Sequence, residues 1–222
     1  MIKALRLFVV CLLITSFTLF PKPSHAETIY QPEHIAKFRV EKDEGIINLQ
    51  GEINEDSFTQ AKAAFEYFAE NHIRNIIIHL HSLGGTVKSG SEIMMLMDAA
   101  KKQKINIVTF VDHKEYCGST CTIIFADGSS RVAAPDTVWL FHSPFIKLTD
   151  EELGDPIKVA EAKEEIRISR RIILRAYYYA DLEFTKTVLE SVVNDDSGKV
   201  LILYGKEIID HTATFINFPI VD

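Results

Sequence analysis

The sequence has few cysteines, and this shortage limits what the protein can be. Its 222 residues include only three cysteines. Three are too few for the disulfide framework that stands in for a hydrophobic core in small secreted domains. Cys117 and Cys121 lie close together in the sequence, but the cluster around them supplies too few ligands for a zinc site. The sequence therefore predicts a protein that folds around an apolar core and holds no metal.

An excess of positive charge is also missing. The formal net charge is −7, and 47% of the residues are hydrophobic. Nucleic-acid affinity comes largely from basic side chains that neutralise phosphates, so an acidic chain with dispersed charges is a poor candidate for that function. The hydrophobic fraction is ordinary for a globular domain. We expect no nucleic-acid partner.

The only long apolar run lies at the N-terminus. Lys3 and Arg6 precede the apolar segment 7–20, and a small-residue motif ends at Ala26. This order is typical of a secretory signal peptide, and the run is short for a membrane span, which needs about 20 residues. We predict cleavage after Ala26, leaving one domain over 27–222 in the periplasm or secreted. The alternative is an uncleaved helix that anchors the protein.

The next part of the chain alternates between strand and helix patterns. Continuous apolar runs predict buried strands, and apolar residues at helical spacing predict helices. Predicted strands cover 37–42, 45–51, 75–81, 105–111, 131–133 and 137–141; predicted helices cover 56–71, 88–102 and 118–126. Such alternation indicates an α/β fold with parallel strands and helices on the faces of the sheet.

The pattern changes after Pro144. An acidic loop over 150–155 leads to a long charged helix over 157–179 and a second helix over 182–193. The predicted C-terminal elements are a strand at 200–203, a short helix at 206–210 and a strand at 214–216.

Three segments contain residues suited to catalysis. Gly84 and Gly85 form a predicted turn that allows close backbone approach, although a phosphate site would use the same feature. Ser119 begins a helix after a strand, where its hydroxyl is either a nucleophile or an N-cap. His142 follows a buried strand and precedes a Ser-Pro pair, a position suited to a general base. His79 and His81 lie within a strand, and we interpret them as structural.

In combination these segments resemble the Clp protease family. The segment 78–90 resembles that family's strand, Ser-Pro-Gly-Gly turn and following helix. Residues 115–122 resemble its Gly-x-Ala-Ala-Ser-Met-Gly nucleophile motif, and 139–144 resemble its Met-Ile-His-Gln-Pro motif. The resemblance extends over about 44–216. It implies stacked ββα units of the Clp/crotonase superfold, with a protruding handle helix at 157–179.

The resemblance also implies a set of catalytic residues. Ser119 would be the nucleophile and His142 its general base. The N–H groups of Gly85 and Thr120 would form the oxyanion hole. The third member of the triad falls in the segment 194–198, where we expect Asp195, with Asp196 as the alternative. The family's chemistry requires no cofactor.

This chain departs from the family pattern near the nucleophile. Leucine replaces the proline before the two glycines, and Cys117 and Cys121 flank Ser119. These cysteines form either a disulfide or two small buried thiols. An exported protein has no ATP, so we expect no ATPase partner and predict peptides or unfolded protein as substrates.

Apolar residues on the handle helix, including Ile166, Ile168 and Ile172, exceed what one packed face needs and predict a homo-oligomer. An alternative function is a catalytically weak or inactive binding or assembly protein that keeps the fold. A crotonase-type acyl-thioester enzyme is disfavoured, because coenzyme A is scarce outside the cytoplasm. A membrane-anchored signal-peptide peptidase relative would need a Ser–Lys pair, and no lysine stands in an equivalent position.

Overall fold

The computed structural model describes residues 38–212 and 214–220. The predicted signal peptide lies outside this range. Nine strands occur in the described residues: β1 Phe38–Glu41, β2 Glu44–Ile53, β3 Asn75–Gly85, β4 Asn106–Val111, β5 Tyr116–Gly118, β6 Ser130–Ala133, β7 Val138–His142, β8 Val200–Tyr204 and β9 Phe218–Pro219. The helices are α1 Glu55–Glu70, α2 Val87–Lys102, α3 Thr120–Ala126, α4 Asp150–Leu153, α5 Pro156–Ala180, α6 Leu182–Phe184, α7 Glu190–Val193 and α8 Gly205–His211, with a π-helical turn Thr185–Leu189 between α6 and α7. None of these helices is both long enough and apolar enough to cross a bilayer.

The strand β3 connects the two halves of the sheet. It pairs in parallel with β2 along one edge. Along the other edge it pairs first with β4, over Asn75 to His79, and then with β5 at Ser82. From there β5 pairs with β7 in parallel, and β7 pairs with β8 antiparallel. The sheet therefore separates beyond His79 into two branches, one through β4 and one through β5.

The short helix α3 packs among β3, β4, β5 and β7, and all of its residues are buried. Small and apolar side chains make this burial favourable, because α3 has no charged residue to desolvate. Alternate residues of β3, such as Ile78 and Leu80, are fully buried, and Ile77 between them is only partly buried. The continuous apolar run predicted burial on both faces, but this strand has one face in the core. This packing places the N-terminus of α3 at the carboxyl ends of the parallel strands, where α/β proteins have their sites.

The C-terminal part of the chain is fixed to the core by Arg131. Its guanidinium donates to the backbone carbonyls of Gly128, Ala180, Thr214 and Phe215. The side chain is buried, and these four acceptors offset the cost of removing its charge from water.

The predicted α/β fold with a long helix after the sheet is confirmed, and several local predictions are wrong. The segment 82–85 is the end of β3 and not a turn, because it continues to pair with β2. The segment 150–155 contains the short helix α4, which Thr149 caps through its side chain. The last strand is Phe218–Pro219 instead of 214–216. The three-residue strand β5 was too short to give a periodic pattern.

Candidate active site

Ser119 lies at a sharp junction between β5 and α3. Its backbone angles are φ +51° and ψ −123°, a conformation that costs a non-glycine residue about 1–3 kcal/mol. The N–H of Ser119 donates to the carbonyl oxygen of Leu140 at 2.8 Å. Its own carbonyl accepts from the N–H of Thr122 at 2.9 Å and from the Thr122 hydroxyl at 2.5 Å. The peptide groups on both sides of Ser119 are thus fixed.

The Ser119 hydroxyl does not act as a helix cap. Ser119 occupies the N-cap position of α3, but its side chain makes no capping hydrogen bond there. A capping serine would satisfy a free N–H in the first turn. The hydroxyl is therefore not committed to the helix, and this removes the main support for the N-cap interpretation.

A disulfide encloses the nucleophile candidate. Cys117 on β5 and Cys121 in the first turn of α3 are joined, with their Cα atoms 5.3 Å apart. Both residues are fully buried. Ser119 is the middle residue of this five-residue loop, so the crosslink restricts how far the strand and the helix can separate around it.

Gly84 lies directly against the Ser119 junction. A Cβ atom placed on Gly84 would come within 2.5 Å of the Ser119 Cβ, 2.7 Å of the Gly118 carbonyl oxygen and 3.0 Å of the Thr120 nitrogen. Gly84 also has φ +106°, which favours glycine. The absence of a side chain here leaves room for the serine and for the Thr120 N–H.

Gly85 and Thr120, the two oxyanion-hole candidates, are brought together. The Thr120 hydroxyl donates to the carbonyl of Gly85 at 2.9 Å. A Cβ on Gly85 would lie only 2.0 Å from the carbonyl oxygen of Ile53, so the close approach of β2 requires glycine at this position. The two backbone segments that would supply the N–H donors are held side by side.

His142 is the last residue of β7. It stands two residues beyond Leu140, the residue whose carbonyl binds the Ser119 N–H, and on the same face of the strand. The Nδ1 atom lies 2.7 Å from the carbonyl oxygen of Ser143. A carbonyl only accepts hydrogen bonds, so Nδ1 carries the proton and Nε2 of a neutral imidazole is the basic nitrogen. Within the described residues, no hydrogen bond joins His142 to Ser119.

Asp195 and Asp196 share a cleft with His142, but neither binds it. The cleft holds about 300 Å³ and is also lined by Phe145 and Ile166. Asp195 accepts from the Ser197 N–H at 2.7 Å, and the bonds from Ser197 hold the pKa of Asp195 below its ordinary value. Asp196 forms an ion pair with Arg170. Both residues therefore line the cleft beside His142, and each carboxylate is bound to a partner other than His142.

Arg170 connects Asp196 to the residue next to His142. Its guanidinium donates to the Ser143 hydroxyl at 2.9 Å while pairing with Asp196. Ser143 is buried, and its carbonyl orients the imidazole. The chain of contacts from Asp196 through Arg170 and Ser143 to His142 was not foreseen, because a single arginine in a charged helix gives no pattern that points to a partner.

His79 and His81 have a definite partner. His79 Nε2 lies 2.7 Å from Glu115 Oε2, and His81 Nδ1 lies 3.1 Å from Glu115 Oε1. Burial alone would raise the pKa of Glu115, but bonds from the Asp112 N–H, His81 and His79 outweigh it and hold this pKa below its ordinary value. The cluster fixes the start of β5, which agrees with the structural role we expected for the two histidines.

Sequence reasoning also missed Thr122 and Tyr177. The Tyr177 hydroxyl is 2.5 Å from the Thr122 hydroxyl, which binds the Ser119 carbonyl. Tyr177 is one of three consecutive tyrosines near the end of α5, and nothing in that run separates the buried one from its neighbours.

Among the residues described, no cluster of three or more His, Cys, Asp or Glu side chains has the geometry to hold a metal.

A serine at a strained strand-to-helix junction, with a histidine at the end of the neighbouring strand, is typical of serine hydrolases on α/β folds. The Clp protease family model matches residues 33–195, well over half of the chain. The protein therefore belongs to the Clp protease family. Members of this family are peptidases that typically form oligomers.

The contact between Gly84 and Ser119 generates a stability prediction. Gly84→Ala should lower the free energy of unfolding by about 3 kcal/mol or more, because it adds a backbone clash to the strain of a positive φ. Gly51→Ala is the matched control: Gly51 has φ +82° and no atom within 4 Å of an added Cβ, so it should lose only about 1 kcal/mol. Urea denaturation measures both, and equal losses would show that the close packing at Gly84 is unimportant.

Proposed function

We propose that the protein is an exported serine peptidase of the Clp type that hydrolyses peptides without ATP. The observation that carries the proposal is the Ser119 junction, whose hydroxyl is free of capping and lies beside the strand that ends in His142. Ser119 is the nucleophile and His142 is the general base. The Gly85 and Thr120 N–H groups form the oxyanion hole.

The proposed reaction follows from this arrangement. The Ser119 oxygen attacks the peptide carbonyl carbon, and its proton passes to Nε2 of His142. The negative carbonyl oxygen is stabilised by the two N–H groups. His142 then gives the proton to the leaving amine as the C–N bond breaks, and water hydrolyses the resulting ester through the same base. The proton that Nδ1 donates to Ser143 fixes the imidazole with Nε2 as the basic nitrogen.

The identity of the acid stays a prediction between Asp195 and Asp196. Both line the cleft beside His142. For either one to complete a triad, its carboxylate would have to reach Nδ1 and replace the Ser143 carbonyl. Asp195 would need to leave Ser197, and Asp196 would need to leave Arg170. We retain Asp195 as the first candidate, because it has no ion pair to break.

A non-catalytic binding or assembly protein is the second candidate. The observation that favours it is the missing contact on both sides of His142: within the described residues, the imidazole bonds neither to Ser119 nor to a carboxylate. Catalytic hydrogen bonds are often loose in resting structures, so the distinction requires a chemical test.

Labelling with a fluorophosphonate provides that test. We expect the probe to modify Ser119, with Ser119→Ala abolishing the adduct and His142→Ala slowing its formation by about 10²–10⁴-fold. Ser191→Ala is the control, since this exposed serine donates to the Val188 carbonyl and does not line the cleft beside His142. Asp195→Asn and Asp196→Asn are compared in parallel, and the triad acid is the one whose loss slows labelling more. A folded protein that carries no adduct at Ser119 would contradict the peptidase proposal and favour the binding protein.

We propose export on the basis of the N-terminal sequence and the disulfide. Disulfides persist in oxidising compartments and are rare in the cytosol. The Cys117–Cys121 crosslink therefore supports a location in the periplasm or outside the cell. Loss of 1–26 would make the chain more acidic, because Lys3, Arg6 and Lys22 are removed without any acid.

Expression of the full chain in an exporting bacterium tests this location. Intact mass should give a mature protein that begins at Glu27, and peptide mapping without reductant should recover Cys117 linked to Cys121. Retention of Met1 in the membrane fraction would instead support an uncleaved anchor. Free thiols in protein recovered from the periplasm would contradict the crosslink.

We also propose that the protein forms a homo-oligomer through the handle helix α5. Apart from the buried Ala162, the first half of α5 is largely exposed. The side chains of Ile157 and Ile168 are 68% and 46% exposed. Isolated exposed apolar residues are common on monomers, but two such residues on the exposed half of one helix would be better buried against another subunit.

The mass in solution tests the oligomer. Light scattering at micromolar concentration should give a multiple of the subunit mass for the mature protein. Ile157→Glu combined with Ile168→Glu should reduce it towards the monomer, because charge in an apolar interface is costly. Lys163→Glu, at an exposed position on the same helix, is the control for added charge. A monomeric wild-type protein would contradict the proposal.

A further inference from the structure

We propose that Tyr177 is a positioning residue that holds the Ser119 and His142 segments in register with one another. This inference rests on the proposed function, in which those two residues form the catalytic pair. Tyr177 lies on the handle helix α5, whereas Ser119 lies at the junction of β5 and α3 and His142 lies at the end of β7. It contacts a neighbour of each catalytic residue, and nothing in the proposed mechanism otherwise uses it.

The first contact is a chain of buried hydroxyl groups. Thr122 has one hydroxyl proton, and its oxygen lies 2.5 Å from both the Ser119 carbonyl and the Tyr177 hydroxyl. The carbonyl can only accept, so Thr122 donates to it. Tyr177 must therefore donate to Thr122. The direction of the chain is fixed from the phenol, through Thr122, to the backbone of Ser119.

The environment keeps this chain in one state. Tyr177 is only 2% exposed and Thr122 is fully buried. Burial raises the pKa of Tyr177 well above its ordinary value, so the phenol keeps its proton throughout the physiological range. In a buried setting each hydrogen bond polarises the next, which strengthens the hydrogen bond from Thr122 to the Ser119 carbonyl.

The second contact is with the strand that carries the base. The ring of Tyr177 packs edge-on against Phe141, with 5.8 Å between the ring centroids. Phe141 is fully buried and directly precedes His142. A shift of the tyrosine ring would therefore move the end of β7 as well as the start of α3.

The first contact acts on an already strained residue. Ser119 keeps its positive φ because its N–H is held by Leu140 and its carbonyl by Thr122. Without the phenol, the Thr122 oxygen loses its donor, and the bond from Thr122 to the Ser119 carbonyl is no longer strengthened by a second bond into the same hydroxyl. The side chain of Ser119 then samples more orientations, and fewer of them point at the substrate carbonyl.

Tyr177→Phe isolates the hydroxyl, because the ring and its packing on Phe141 remain. We expect the second-order rate of fluorophosphonate labelling at Ser119 to fall by about tenfold, the effect of one neutral buried hydrogen bond. Thr122→Val should give a similar fall, and the double variant should lose little more, because both changes break one chain. Tyr179→Phe is the control, as this exposed tyrosine is two residues further along α5.

The comparison also separates positioning from stability. Labelling rates are corrected for the folded fraction, and amide hydrogen exchange is followed in the peptide spanning Ser119 to Ile123. We expect faster exchange there in Tyr177→Phe than in Tyr179→Phe. An unchanged corrected rate in Tyr177→Phe, with a labelled wild type, would overturn this inference and leave the proposed function intact. If the wild type is not labelled, the proposed function fails, and hydrogen exchange alone tests the positioning role. Equal exchange rates of the Ser119 to Ile123 peptide in Tyr177→Phe and Tyr179→Phe would then overturn that role.

Discussion

The site depends on holding Ser119 in a backbone conformation that it would not adopt by itself. A non-glycine residue at φ +51° persists only where its surroundings determine it. Three constraints act here: the hydrogen bond to Leu140, the two bonds from Thr122 and the crosslink between Cys117 and Cys121. Each ties the junction to a different part of the molecule, so the strain is supported by the sheet, the helix and a covalent bond together.

The same constraint explains the local choice of residues. Gly84 leaves space beside the Ser119 Cβ and above the Thr120 N–H, and any larger residue would fill it. The helix α3 carries no charge and is wholly buried, so it can begin in the interior of the fold at the divide in the sheet. Ser119 therefore lies beside β7, and His142 lies at the end of that strand. The geometry that suits a serine peptidase follows from where the sheet divides.

Much of the fold could be read from the sequence, because buried parallel strands and amphipathic helices have distinct periods. Gly85 and His142 could be located because each follows a buried strand pattern, whereas Ser119 was located from the small-residue helix that it begins and from the resemblance of 115–122 to the family's nucleophile motif. The parts that were missed depend on contacts between distant segments. The strand β5 has only three residues, and the continuation of β3 through Gly84 and Gly85 depends on pairing with β2. Likewise, the partners of Arg170 and Tyr177 lie 26 and 55 residues away, beyond any periodic signal. Asp195 and Asp196 stay unresolved for a related reason, since adjacent acids in a turn give the same pattern whichever one faces the histidine.

The most direct test of the central claim is a crystal structure of the mature protein after reaction with a fluorophosphonate. The claim predicts a phosphorus atom bonded to the Ser119 oxygen, with the phosphoryl oxygen about 2.7–3.1 Å from the N–H groups of Gly85 and Thr120. Nε2 of His142 should lie within hydrogen-bond distance of the Ser119 oxygen. A phosphoryl oxygen turned towards solvent, or an adduct on another residue, would contradict it.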